Sequence, residues 1–310
     1  MGQHMSRSFL ARLPLARSGV DRDHLGRDDA TLRQHPDARF IVIADGLALL
    51  ETESSLKYLT AADAPESDLV IYLGRSIATG APHFAVVIEE PGDLGPWGNL
   101  RSLGARLSER DAGMFTEALA VANWHAATRF SPLSGAATSV GKGGWVLLDN
   151  DRGRELFPRT DMAIIVGIVD AGDRLLLGSN AAWEHNRYSL LAGFVEPGES
   201  LEAAVAREVF EESGMRVTDP QYLGSQPWPF PASLMLGFMA RVDDTVESTL
   251  TPDGEEILDL RWFTRAELHA ANASGEVKLP TSASIARAII EEWYGGPLDV
   301  APDATKPVAQ

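Results

Sequence analysis

Gly193-Phe-Val-Glu-Pro-Gly-Glu199-Ser-Leu-Glu-Ala-Ala-Val-Ala-Arg207-Glu208-Val-Phe-Glu211-Glu212-Ser-Gly214-Met215 is the stretch on which the fold turns. Pro197 and Gly198 bend the chain, Ser200 stands where it can cap a helix, and Gly214 can take the left-handed position that ends one. Leu201, Val205 and Val209 recur every four residues and predict a buried stripe. Glu208, Glu211 and Glu212 stand at i, i+3 and i+4, so all three carboxylates project from one side of the helix. Like charges that close repel unless a cation sits among them, and a hard divalent ion with oxygen ligands suits them. The triplet alone reads as a solvated acidic face. The fixed spacing of Gly193, Glu199, Arg207, the glutamates and Gly214 overturns that reading.

The spacing Gly-x5-Glu-x7-Arg-Glu-Val-x-Glu-Glu-x-Gly-Met resembles the Nudix box at every fixed position. The resemblance implies hydrolysis of a nucleoside diphosphate linked to another moiety, with a divalent metal. It leaves the moiety open.

Composition sets the frame. A chain of 310 residues has room for two domains, and 45% hydrophobic with 23% charged residues is ordinary for a globular protein. No apolar run is long enough to span a bilayer, so no membrane partner is expected, and no signal-peptide pattern opens the chain. Residues 1–5, Met-Gly-Gln-His-Met, read as a cloning remnant. The absence of cysteine excludes disulfides and thiolate chemistry, and a cytoplasmic location is expected. A net charge of −17 speaks against broad electrostatic binding to nucleic acid, though not against an enzyme acting on one end of an RNA.

Taken in order, residues 6–126 form an N-terminal domain. An Arg/Asp-rich arm is followed by β-like runs at Arg39–Ala44, Leu47–Leu50, Leu69–Leu73 and Phe84–Ile88, which predict a small antiparallel sheet, and then by a helix from Asp111 to Arg129. His125 near the end of that helix reads as a satisfied polar edge. Residues 127–160 are short, turn-rich and without a long apolar face, so packing on neighbours is the expected support. Residues 161–295 turn regular, with strands at Ala163–Val169, Arg174–Gly178, Ser189–Gly193, Leu234–Arg241 and Asp259–Phe263, and helices at Arg265–Ala271 and Ser282–Tyr294. The class is α+β: an α/β/α sandwich with a mixed sheet, preceded by the β-rich domain. Residues 296–310, rich in Pro, Ala and Asp, are expected to be disordered.

A second motif narrows the reading. Ser225-Gln-Pro-Trp-Pro-Phe-Pro-Ala-Ser-Leu-Met235 holds two aromatic rings on a backbone stiffened by three prolines. That suits a wall against which a planar ring stacks, with Gln226 and Ser233 orienting it; a rigid loop packed on the sheet is the plain alternative. Beside the box, the run resembles the SQPWPFPxS signature of the NADH pyrophosphatase family of Nudix hydrolases. The likeness extends to Phe157-Pro-Arg-Thr-Asp, Leu191-Ala-Gly-Phe194, Glu256-Ile-Leu-Asp-Leu-Arg-Trp-Phe263 and Ile285-Ala-Arg, and spans roughly residues 99 to 295.

The resemblance implies roles residue by residue. Glu208, Glu211, Glu212 and Glu256, with the carbonyl of Ala192, hold two or three Mg²⁺ or Mn²⁺ ions, and Glu211 or Glu256 takes the proton from the attacking water. Gln226, Pro227, Trp228, Pro229, Phe230, Pro231, Ala232, Ser233 and Met235 form the substrate loop. Phe157, Phe194 and Trp228 contact rings, Arg101 reaches the substrate from the N-terminal side, and Ala286 adds a late carbonyl contact. Gly193, Glu199 and Arg207 read as bracing. NADH and NAD⁺, cut to nicotinamide mononucleotide and AMP, are the implied substrates, with the NAD cap of an RNA 5′ end as the same bond in a longer molecule. A homodimer is implied as well. Rival readings are hydrolysis of ADP-ribose or dinucleoside polyphosphates, and a non-catalytic nucleotide-binding regulator, although the box keeps every carboxylate.

One departure stands out. The family carries a four-cysteine zinc ribbon before the Nudix domain, and the four positions here hold Ser131, Ser134, Asp149 and Arg152. That set cannot build a tetrahedral thiolate site, so no zinc is expected. The ribbon is expected to survive by apolar contacts from Phe130, Leu133, Trp145, Leu147 and Leu156.

Overall fold

The structure, a computed structural model, describes residues 9–298. Residues 1–5, expected to be a cloning remnant, and the tail from residue 299 lie outside the described residues. Two compact units emerge: an N-terminal unit of Pro14–Asp161 plus Pro227–Leu234, and a C-terminal unit covering 9–13, Met162–Gln226 and 235–298. Among the described residues no helix is long and apolar enough to cross a membrane.

The N-terminal unit is built on a seven-stranded sheet in the order β1-β5-β6-β2-β3-β4, with β7 paired to β3. These strands are β1 (Val20–Asp21), β2 (Arg39–Ala44), β3 (Leu47–Thr52), β4 (Ser55–Leu56), β5 (Leu69–Ser76), β6 (Pro82–Ile88) and β7 (Trp97–Asn99). Asp45 and Gly46 both take positive φ in the β2–β3 turn, as a tight hairpin requires. The antiparallel expectation is corrected at one ladder: β2 and β6 run parallel, from Arg39↔His83 to Ala44↔Ile88. The long connection after β4 brings the β5–β6 hairpin round to the free edge of β2. Alternation serves both faces. Ile41, Ile43, Ile71 and Leu73 join the core with Met114, Phe115 and Ala118 of the helix Glu109–Ala127, while Phe40, Tyr72, Phe84 and Val86 join a second cluster with Leu32. With both faces covered, the strands read as continuous apolar runs.

The ribbon segment folds as a three-stranded antiparallel sheet of β8 (Thr138–Gly141), β9 (Val146–Asp149) and β10 (Arg154–Leu156). Its support differs from the expected one. Leu147 is buried, and Trp145 and Leu156 pack against the core, but Phe130 and Leu133 are exposed. The organising group is Asp149, fully enclosed at 0% exposure. Its carboxylate accepts hydrogen bonds from Ser131 Oγ at 2.7 Å, Ser134 Oγ at 2.9 Å, and the backbone N–H groups of Asp151 and Arg152 at 3.0 Å each. The four positions matched to cysteines therefore do converge, on the Asp149 carboxylate, with Arg152 contributing its backbone N–H.

The C-terminal unit carries a six-stranded sheet in the order β14-β15-β11-β12-β16, with β13 on β11. The strands are β11 (Asp161–Val169), β12 (Leu175–Asn180), β13 (Leu191–Phe194), β14 (Val217–Trp228), β15 (Ser233–Val242) and β16 (Ile257–Phe263). Ile165 and Val169 share a core with the helices Arg265–Ser274 and Ile285–Tyr294. Ile164, Val166 and Ile168 alternate to the other face and are also fully buried. The chain is α+β, as expected. Residues 217–228 form a single strand, which runs into the first residues of the stretch expected to be a loop. Pro227 is tolerated there because β14 lies at the sheet edge, where a missing N–H costs little. Leu298, inside the segment expected to be disordered, is buried with the core of the C-terminal unit.

Candidate active site

The box helix spans Leu201–Ser213. Ser200 accepts a hydrogen bond from the Ala203 N–H, and Gly214 ends the helix with φ 68°, as its sequence predicted. Val205 and Val209 are fully buried, which fixes the rotation of the helix and so the side on which its glutamates stand.

Arg207 is the hub of the polar side. It grips Glu199 with two hydrogen bonds of 2.9 Å, and reaches Glu208 Oε1, Glu211 Oε2 and the Phe194 carbonyl, each also at 2.9 Å. The loop before the helix, the end of β13 and the helix itself are thus tied to one guanidinium. Glu199, above all, raises the pKa of Arg207, and Arg207 holds the Glu199 carboxyl below its usual range. Gly193 is explained in the same neighbourhood, since a Cβ there would fall on the Glu208 carboxylate.

Glu212 lies apart from this hub. It is buried, and its Oε2 has no hydrogen-bond donor. Burial pushes its carboxyl up to about 8, reinforced by Glu256, Glu208 and Asp253 and opposed by a backbone hydrogen bond from Ala192. Burial also raises the Glu208 pKa, against the lowering effect of Arg207. Glu256 is oriented by Asn180, whose Nδ2 donates to Oε1 at 3.1 Å, and by the turn before it. There Asp253 Oδ1 accepts the backbone N–H groups of Glu255, Glu256 and Ile257 at 2.8–2.9 Å. Asn180 and Asp253 were not singled out from the sequence. The signal for Asp253 was the Pro252-Asp-Gly-Glu-Glu256 run, an Asx-type turn ahead of a strand.

Among the described residues, no group of three or more His, Cys, Asp or Glu side chains is arranged to hold a metal ion. Glu208 and Glu211 turn toward Arg207, which accounts for this. The donor set nonetheless fits a hard cation: Glu212 is a buried carboxylate with an orphaned oxygen and three acidic neighbours, a state that a positive charge relieves.

The residues expected to touch substrate are divided between the units. The C-terminal unit holds Phe194, whose ring is exposed, together with Ala192, Gln226, Met235 and Ala286. Gln226 is fully buried and donates through Nε2 to the Ala283 carbonyl at 2.9 Å, Met235 packs at the core, and Ala286 is buried at the start of its helix. The N-terminal unit holds Arg101, Phe157 and Pro227–Leu234. There the rings of Trp228 and Phe230 meet edge-on with centroids 4.9 Å apart, and the Arg101 guanidinium lies over both, 5.4 and 4.2 Å from their centres. Asn123 Nδ2 donates to the carbonyls of Pro229 and Pro231, fixing the tip of the run, and Phe157 is exposed. His125 is half-buried and bonds the Gly144 carbonyl at 2.7 Å, a structural role as expected.

A sheet carrying a braced acidic helix of this kind defines a Nudix hydrolase. Residues 158–281 match the NUDIX domain, and residues 29–124 match the NADH pyrophosphatase-like rudimentary NUDIX domain. The NAD-capped RNA hydrolase NudC of Mycobacterium bovis (strain BCG / Pasteur 1173P2) is 40% identical over 303 residues, covering 93% of this chain and 94% of that protein. Its Mycobacterium tuberculosis (strain ATCC 25177 / H37Ra) counterpart is 39% identical over the same shares. The human NAD-capped RNA hydrolase NUDT12 is 36% identical over 200 residues, 61% of this chain and 43% of its own length. The chain belongs to the NAD-capped RNA hydrolase family of Nudix enzymes, whose members generally use divalent cations.

Proposed function

We propose that this protein hydrolyses the diphosphate of NADH and NAD⁺ to nicotinamide mononucleotide and AMP, and removes the NAD cap from RNA 5′ ends. The observation that carries the reading is Glu212, buried with an unpartnered oxygen beside Glu208, Glu256 and Asp253. Relatives named for NAD-cap hydrolysis along most of the chain supply the substrate. Glu208, Glu211, Glu212 and Glu256, with the Ala192 carbonyl, would hold two or three Mg²⁺ or Mn²⁺ ions. When bound, a divalent cation supplies charge neutralisation at the diphosphate and a more acidic water. Glu211 or Glu256 accepts the proton as the water oxygen bonds to phosphorus and the bridging P–O bond breaks, the electron pair leaving with the departing phosphate. Arg207 keeps helix and loop in register throughout. Phe194, Phe157 and the Pro227–Ser233 run are the ring-contacting groups, and Arg101 adds a cation over Trp228 and Phe230.

Product analysis on NADH, NAD⁺, ADP-ribose and NAD-capped RNA, side by side with Mg²⁺ and Mn²⁺, tests this. ADP-ribose outrunning all three NAD substrates would reject it. A homodimer in the cytoplasm completes the proposal, supported by Phe130, Leu133 and Phe157, large apolar side chains exposed on the N-terminal unit.

Trp228→Ala should cost about 1–3 kcal/mol of substrate binding, the range for an aromatic ring stacked on a base. The loss should appear in KM with kcat nearly unchanged, as uniform binding requires. An unchanged KM for NADH would return Trp228 to its packing on Phe230.

The ribbon carries a separate expectation. Asp149 is already committed to four donors, and serine hydroxyls do not replace thiolates. Purified protein should contain no stoichiometric zinc, and a chelator too weak to strip Mg²⁺ should change neither melting nor turnover. One tightly held zinc per chain in elemental analysis would overturn this.

A further inference from the structure

Glu117 sits in the helix Glu109–Ala127 with its side chain 3% exposed, and its Oε1 has no hydrogen-bond donor. Arg22 Nη1 stands 3.7 Å from that oxygen, near enough for an ion pair and too far for a hydrogen bond. Arg27, which also acts on this carboxyl, lies 3.9 Å over the Trp145 ring, and its Nε is itself without an acceptor. Burial outweighs both arginines and holds the Glu117 carboxyl up at about 7. A buried carboxylate with an unmet oxygen is costly to keep, and nothing in the proposed hydrolysis uses it.

Glu117 also lines a cavity of about 320 Å³ in the N-terminal unit. The other charged lining groups are Arg17, Arg22 and Arg159, so a net positive recess is set in a chain of net charge −17. The Arg22 side chain is 56% exposed, so it can meet an incoming anion from solvent. Between these groups the wall is apolar, with Val121, Trp145, Pro227 and Pro229. This lining asks for a small anion with an N–H donor and a flat body between the two. The volume lies at the lower end for small-molecule sites, which favours one nucleotide over a dinucleotide.

We propose that this cavity is a second ligand site that binds a nucleoside 5′-monophosphate, with an amino or amide N–H of the base donated to Glu117 and the phosphate held at Arg22. Pro227, Pro229 and Ser233 of the proline run form part of its wall, so an occupant bears directly on that run. Mononucleotides are what the proposed reaction releases. Feedback by product through this wall rests on that reading, whereas the binding itself does not.

Direct binding keeps the two apart. Metal-free full-length protein is titrated calorimetrically with AMP, nicotinamide mononucleotide and inorganic phosphate. A mononucleotide site is expected whose affinity falls at least tenfold in Arg22→Ala and again in Ala120→Phe, which fills the cavity without altering charge. Both variants should melt as the parent does, and Arg22→Ala should turn over NADH within about twofold of it. Glu117→Leu should lose the site too, and the other two variants decide the matter if that one fails to fold. Mononucleotide affinity unchanged in Arg22→Ala and Ala120→Phe would overturn the proposal. Inorganic phosphate binding as tightly as AMP would also overturn it, leaving only an anion site. Cavity-dependent AMP binding in a protein that leaves NADH intact would uphold the site and reject the proposed hydrolysis.

Discussion

Glu212→Gln is expected to fold normally and to lose more than about 100-fold in kcat at saturating Mg²⁺, beyond what loss of a supporting contact costs at a metal site. The substitution keeps the shape of a side chain fixed by the buried face of the box helix, so the helix has no reason to move. It removes the one carboxylate in the cluster that Arg207 does not reach and that has an unmet oxygen. Glu212 also lies among Glu208, Glu256 and Asp253, which disfavour its charge. Replacing it by a neutral amide should therefore leave the melting temperature of metal-free protein unchanged or raise it. A fall in activity with no fall in stability is the signature of a group kept for chemistry. Near-parental turnover in Glu212→Gln would remove this helix from the active site. Arg207→Ala should behave in the opposite sense, losing stability and activity together, because five hydrogen bonds end on that guanidinium.

The box was legible because its chemistry is local. Helix cap, buried stripe, terminating glycine and the Glu199–Arg207 brace all fall within some twenty residues, and helical spacing alone puts the three glutamates together. Which of the three is buried was not legible. Glu211 is exposed and Glu212 enclosed, a difference set by the strands beneath and by the turn at Asp253, more than forty residues on. The parallel β2–β6 ladder was hidden for a similar reason, since apolar runs covered on both faces carry no record of strand direction. The proline run misled in part. Its prolines suggested a rigid loop, yet β14 continues through Trp228 at the sheet edge, and Gln226 donates to the Ala283 carbonyl. The Glu117 carboxylate was invisible in sequence, where a glutamate in an amphipathic helix reads as solvated.

Asp149→Ala should unfold the ribbon, lowering the melting midpoint of the N-terminal unit by about 5 °C or more, because four donors lose their acceptor at once. Two of those donors are backbone N–H groups in the turn before β10, so the damage falls on chain geometry as well as on side chains. Asp149→Asn should be milder, since an amide oxygen at the Oδ1 position still accepts from the turn and from Ser134, and Ser131 Oγ can accept from the amide N–H at the other position. The pH dependence has a definite sign. Ser131 first, then Arg152 N–H, Ser134 and Asp151 N–H, hold the Asp149 carboxyl below its usual range in spite of its burial. A carboxyl lowered on folding contributes stability that is complete above its unfolded pKa of about 3.9 and is lost as pH falls through the folded value. Melting curves of the parent and Asp149→Ala should therefore differ at neutral pH and converge in acid below about pH 4. Amide exchange at residues 151 and 152 should speed up over the same window. A midpoint in Asp149→Ala equal to that of the parent at pH 7 would mean that the buried face of Leu147 and Leu156 holds the ribbon without the carboxylate.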